Sequence, residues 1–318
     1  MADVAWVLAV FAGVGAIVWG AEAFAEHLAP AAVSLHVSSF ALALLLAGAE
    51  PEELATGIAA SLRHAPAVAF GDVIGANIAM CLVALGLGAV ISPLPFGRRV
   101  RRYALAGVPI GVAGAGLAWQ GHITRMAGAV LVGLYVAYVA GIWALEGAPP
   151  TLGETSELIE ARRDRDQNSR RIGRDVGVIL IGIAAMSVGA TALVEGIRHL
   201  AHADASQTRL SLTLVGFATA FELVVLAWSA ARRGASEAVV AAVVGSFAYN
   251  VTMTLGAAAL VRPLRIADPG QLHAPLVVMV AALMGAIALA WRTRQLGHRA
   301  GVVLLACYPL FLVMVALS

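Results

Sequence analysis

Gly48-Ala49-Glu50-Pro51-Glu52-Glu53 sets three carboxylates inside a segment that otherwise reads as membrane, for residues 31 to 62 carry no charge outside it. A charged side chain near the bilayer centre costs about 2.5 to 3.5 kcal/mol on insertion scales, so acids kept at that depth are held for ion or proton handling. Proline lacks a backbone donor and clashes with the preceding turn, so it breaks a helix unless it opens a new one. One helix is therefore expected to end near Gly48 and another to begin at Pro51, with the three acids around the positive end of its dipole. Glu50 and Glu53, three apart, are expected to share a face, with Glu52 directed elsewhere.

The rest of the chain agrees with a bilayer setting. It has 318 residues, 60% hydrophobic and 13% charged, with a mean hydropathy of +0.87, which excludes a soluble globular domain and gives no basic surface for nucleic acid. The partners this predicts are a lipid bilayer and inorganic cations, with no cofactor. Cys81 and Cys307 both lie in apolar stretches, so neither a disulfide framework nor a cysteine metal site is expected. Residues 4 to 25 lack a basic leader and a cleavage signature, and are expected to remain as the first helix.

A bilayer core of about 30 Å takes about 20 helical residues. On that ruler ten spans are expected, near 4–26, 31–62, 66–92, 103–119, 124–146, 175–199, 208–231, 236–261, 272–291 and 299–317. The second, at about 1.5 Å per residue, is too long for one straight perpendicular crossing, which again predicts a broken or tilted helix. Residues 147–174, headed by Pro149-Pro150 and followed by a mixed charged run, read as a linker between two five-helix units, 1–146 and 175–318. With the amino terminus outside, the inner loops and linker hold fifteen arginines and the outer loops six. That asymmetry predicts a cell-membrane protein with both termini outside and a cytoplasmic linker.

The two units match each other. Gly20-Ala21 and Glu26 correspond to Gly189-Ala190 and Glu195, Glu53 to Glu222 and Arg63 to Arg232, all at an offset of 169. At 170 the register resumes with Gly75 and Gly245, then Pro93-Leu94 and Pro263-Leu264. An odd number of spans per unit makes the second copy enter from the opposite side, so the expected architecture is all-α, two inverted five-helix repeats. Such repeats bind substrate near the midplane, where broken helices meet, and alternate access by moving one bundle against the other. The common register predicts that spans two and seven cross there with Glu53 facing Glu222. Two facing carboxylates repel unless a cation or proton lies between them, and oxygen donors suit hard cations. Glu22, Glu26 and Glu195 read as solvated or capping groups near helix ends, His36 as an interhelical polar group, and Asp72 as a residue at a helix mouth.

At these residues the sequence resembles the calcium:cation antiporter superfamily, the sodium/calcium exchanger-like transporters. Their motif Gly-Thr-Ser-Leu-Pro-Glu stands here as Gly48-Ala49-Glu50-Pro51-Glu52-Glu53 and again as Phe217-Ala218-Thr219-Ala220-Phe221-Glu222. Their Gly-Ser-Asn-Ile-Phe-Asn motif stands as Gly75-Ala76-Asn77-Ile78-Ala79-Met80 and Gly245-Ser246-Phe247-Ala248-Tyr249-Asn250. The resemblance implies Glu53, Glu222 and Asn250 as central cation ligands, with Thr219, Ser246 and Asn77 beside them and Glu50 as an added carboxylate. It also exposes departures: Ala49 and Ala218 lack the threonine hydroxyl, Glu50 replaces a serine, and Met80 replaces an asparagine ligand. Fewer neutral oxygens leave less to hold separate sodium ions, and a third acid offers a proton acceptor.

The function expected is secondary active antiport of a cation, Ca²⁺ by the resemblance, against H⁺ or Na⁺. A transport-inactive paralogue acting as a membrane binding or scaffold subunit is the alternative, motivated by the lost hydroxyls. No His-Glu-x-x-His or Gly-x-Ser-x-Gly pattern is present to support an intramembrane enzyme.

Overall fold

The computed structural model describes residues 2–34, 50–146, 172–233 and 236–317. The expected helix end near Gly48, His36 and residues 147–171 of the expected linker therefore lie outside the described residues. Pro51 does open a helix: α1 spans Ala2–Ser34 and α2 spans Pro51–Leu62, with Pro51 in its first turn. α3, Pro66–Ala79, runs through a π-helical turn at Met80–Ala84 into α4, Leu85–Ile91. The strand β1, Leu94–Pro95, then leads to α5, Arg98–Ala118; β2, His122–Ile123, leads to α6, Arg125–Glu146.

The second half repeats this order. α7 is Ile172–Leu200; α8, Asp204–Leu210, passes through a π-turn at Ser211–Val215 into α9, Gly216–Thr219, and α10 restarts at Phe221–Arg233. α11, Ser236–Tyr249, continues through a third π-turn, Asn250–Thr254, into α12, Leu255–Val261. β3, Leu264–Arg265, α13, Gly270–Trp291, β4, Gln295–Leu296, and α14, His298–Leu317, complete the chain. π-turns insert one extra residue in a helix and recur at functional sites. Two of them follow the Gly75 and Gly245 motifs in the same register.

Among the described residues, eight helices are long and apolar enough to cross a membrane. Span 31–62 lies partly outside the described residues. Span 103–119 is present as α5 but is less apolar, since Arg98, Arg99, Arg101 and Arg102 occupy its first turns. The α3–α4 and α11–α12 spans are the most deeply buried and form the centre, while Leu8, Phe11, Leu180, Val188, Leu310 and Val313 stand exposed on the outer helices. In a membrane that surface faces lipid, where a helix meets most of its backbone hydrogen-bonding needs within itself.

Small residues let the helices touch backbone to backbone. A Cβ on Gly13 would lie 2.7 Å from the Gly189 carbonyl oxygen, and one on Gly20 would lie 2.6 Å from that of Gly182, so α1 and α7 pack antiparallel along their length. A Cβ on Gly128 of α6 would lie 2.8 Å from the Gly256 oxygen of α12, and one on Gly301 of α14 would lie 2.6 Å from the Gly86 oxygen of α4. Two small antiparallel sheets tie the loops: Leu94 pairs with Leu296 and Pro95 with Gln295, His122 with Arg265 and Ile123 with Leu264.

Candidate cation site

The start of α2 brings three acids together. Glu50 precedes the helix in a non-helical conformation, φ −118° and ψ 85°, while Glu52 and Glu53 occupy the first turn. One carboxylate oxygen from each of Glu50, Glu52 and Glu53 lies within 4.8 Å of the others. The expectation that Glu52 points elsewhere is therefore overturned. Helical spacing does not extend back to Glu50, whose backbone is extended, so the i, i+3 rule fails at the break and all three side chains gather. Their exposures are 6%, 1% and 0%, deeper than any unpaired charge normally sits.

Glu222 takes the corresponding place in the first turn of α10, after the chain breaks between Thr219 and Phe221. It is half-buried and within electrostatic range of Glu50, Glu52 and Glu53. Asn250 opens the third π-turn beside Glu53, and its side-chain amide nitrogen makes no hydrogen bond among the described residues. Its oxygen accepts from the Thr254 hydroxyl at 3.4 Å. Ser246, one turn earlier on α11, donates to Glu50 from the opposite half of the chain. Tyr249 also stands within electrostatic range of the three acids. Asn77 is wholly buried, but it donates to the Phe247 carbonyl at 3.4 Å and faces the Met279 sulfur at 3.6 Å, which ties it to helix packing while its own oxygen is left unpartnered.

Two site residues escaped the sequence reading. Glu52 is one. Asp72 is the other: it stands inside α3 with 0% exposure, not at a helix mouth, and accepts a hydrogen bond from the Thr219 hydroxyl at 2.9 Å. The signal was present, since Asp72 is the one charge between Arg63 and Arg98, but its partner lies 147 residues away. Among the described residues, most of the buried side-chain oxygens left without a hydrogen bond lie here: Glu52 Oε1, both oxygens of Glu53, Asp72 Oδ2 and Glu222 Oε2. The described ion pairs, Arg63 and Arg198 with Glu195 and Arg99 with Glu146, involve none of these acids. Converging carboxylate, amide and hydroxyl oxygens without a basic partner make a donor set for a hard cation.

The profile of the family described as sodium/calcium exchanger protein matches residues 5–144 and 175–317. The chain belongs to the sodium/calcium exchanger family. It is a multi-pass membrane protein of ion antiport and not an enzyme. The sodium/calcium exchanger MaX1 of Methanosarcina acetivorans is 25% identical over 333 residues, covering 93% of this chain and 94% of that protein. The inner membrane protein YrbG of Escherichia coli is 28% identical over 276 residues, covering 84% and 82%. Among solved structures, the sodium-calcium exchanger NCX_Mj soaked with Na⁺ and Sr²⁺ shares the exchanger fold, with a TM-score of 0.63, 22% identity and 97% of each chain covered.

Proposed function

We propose that this exchanger family member is a secondary active antiporter that carries Ca²⁺ against H⁺ or Na⁺, binding the ion near the midplane between Glu53 and Glu222. The observation that carries this reading is the buried Glu50, Glu52 and Glu53 cluster, which lies within electrostatic range of Glu222 and has no basic partner among the described residues. Glu53, Glu222 and Asn250 act as central ligands, with Glu50, Thr219 and Ser246 beside them; Asn77 supplies its free oxygen from behind. MaX1 and NCX_Mj carry the name sodium/calcium exchanger, which favours these ions.

Alternating access rests on two inverted five-helix repeats, 1–146 and 175–318, joined by a cytoplasmic linker with both termini outside. Contacts between the halves support that arrangement because they come in matched pairs. Gly13 and Gly20 are offset by 169 from Gly182 and Gly189, so the Gly13–Gly189 contact is the symmetry mate of Gly20–Gly182. Likewise Gly86–Gly301 mirrors Gly256–Gly128, and the β1–β4 register mirrors β3–β2 residue for residue. Reciprocal antiparallel contacts of this kind are what an in-plane two-fold axis requires. Beside the contacts of the α1–α7 pair with α2 lies an apolar cavity of about 450 Å³ lined by Phe24, Leu54, Ile58 and Met186, which gives that pair room to shift against the centre.

The test is ⁴⁵Ca²⁺ uptake by the purified chain in liposomes, driven by an outward proton gradient in sodium-free buffer or by an outward sodium gradient. Uptake with either gradient, lost in Glu53→Gln, supports antiport and identifies the counter-ion. Specific Ca²⁺ binding without uptake under either gradient would favour the non-transporting scaffold instead.

A further inference from the structure

Glu50 and Thr219 occupy equivalent places at the two helix breaks, 169 residues apart, yet one is an acid and the other a hydroxyl. Each is hydrogen-bonded to the opposite half of the chain. Ser246 on α11 gives its hydroxyl proton to Glu50, and Thr219 gives its own to Asp72 on α3. Both breaks thus carry one acid–hydroxyl pair, with the acid supplied locally at the first break and by the other half at the second. Asp72 is wholly buried, its Oδ2 has no hydrogen bond among the described residues, and it lies within electrostatic range of Glu53, whose two oxygens are also unpartnered. A buried carboxylate normally has a base or several donors around it. Asp72 has one hydroxyl on one oxygen and no hydrogen bond on the other among the described residues.

We propose that Asp72 is a specificity-determining residue of the cation site: its charge, fixed at the second helix break by Thr219, favours a divalent over a monovalent cation. The inference deepens the antiporter reading and rests on it. Its logic is Coulombic. A charge at a given distance stabilises a dication twice as much as a monocation, whatever the local dielectric. Removing it multiplies the dissociation constant of a monovalent ion by some factor and that of a divalent ion by the square of that factor. A packing defect in the same place weakens both ions by a common factor.

Asp72→Asn keeps an oxygen to accept the Thr219 proton and removes the charge; Asp72→Ser is a second neutral variant of smaller volume. Ca²⁺ and Na⁺ affinities of the purified full-length parent and variants are measured separately by calorimetry in detergent. The result expected is Na⁺ binding weaker by on the order of tenfold and Ca²⁺ binding weaker by on the order of a hundredfold, so that the logarithmic losses stand at two to one. Thr219→Val, which leaves the charge and removes its clasp, is expected to shift both ions by similar factors. Equal losses in the neutral variants, or none, overturn the proposal. So does failure of both neutral variants to assemble, which would make Asp72 a structural residue. A parent that binds neither ion refutes the antiporter reading itself, an outcome distinct from a parent that binds both with unchanged selectivity in Asp72→Asn.

Discussion

Gly20 of α1 and Gly182 of α7 meet backbone against backbone: a Cβ on Gly20 would stand 2.6 Å from the Gly182 oxygen, and one on Gly182 would stand 2.7 Å from that of Gly20. No side chain fits there unless the two helices part. Gly182→Val should lower stability by about 1 to 3 kcal/mol, the usual cost of overpacking. It should also cut flux, because it forces α1 and α7 apart. Gly15, with nothing within 4 Å of its would-be Cβ, is the control. Gly15→Ala should melt at the same temperature as the parent or slightly higher. Thermal unfolding in detergent and liposome flux read both variants, and equal behaviour of the two would contradict the contact.

Glu52 is the sharpest test of the three-acid cluster. Its exposure is 1% and one of its oxygens has no hydrogen bond among the described residues, so it stands with Glu50 and Glu53. Glu52→Gln is expected to weaken Ca²⁺ binding by at least about a hundredfold, because one close charge is worth several kcal/mol to a dication at an effective dielectric near 20. Had helical spacing from Glu50 held, the same change would leave affinity unaltered. Calorimetric titration of the variant beside Glu53→Gln separates the two.

Topology has a chemical readout. With the amino terminus outside, fifteen arginines fall on the inner side against six on the outer, which predicts a cytoplasmic 147–174 linker. Cys307 is exposed, so the experiment starts from a Cys81→Ser, Cys307→Ser background. A single cysteine in place of Ser156 should resist an impermeant maleimide added to intact cells and react after permeabilisation. One in place of Gln120, in the loop before β2, should react at once. The reverse pattern would invert the assignment.

Much of this organisation was legible because it is local or periodic. Pro51 marks a helix start, and the register of Glu53 with Glu222 pairs two acids that stand within electrostatic range of each other. What escaped depends on contacts across the chain. Asp72 looked like a mouth residue because its burial is created by α9, whose Thr219 is 147 residues away. Helical spacing does not show Glu52 in the cluster, because Glu50, with a ψ of 85°, is not helical and interrupts the count. The mirrored glycine contacts needed coordinates for a different reason. Glycines are frequent in this chain, 33 in all, so their presence alone does not tell which of them touch.

Cation binding should stabilise the fold in a pH-dependent way. An ion bound only to the native state adds RT ln(1 + [L]/Kd), about 2.7 kcal/mol at a hundredfold excess over Kd. On the proposed reading Glu50, Glu52, Glu53 and Glu222 would ligate as carboxylates, and a proton on any of them would compete with the metal. The sign is thus determined: stabilisation by Ca²⁺ is full at neutral and alkaline pH and shrinks as pH falls and the acids fill with protons. Without Ca²⁺ the ionised cluster repels itself, so the chelated protein should show the opposite trend and gain stability on mild acidification. Melting curves with 1 mM Ca²⁺ or with chelator, from pH 8 down to pH 5, give both arms. Glu53→Gln should lose most of the Ca²⁺-dependent shift at every pH while melting above the chelated parent at pH 8, since one of the mutually repelling charges is gone. A Ca²⁺ shift that is independent of pH, or one retained in full by Glu53→Gln, would mean that the ion is held somewhere other than this cluster.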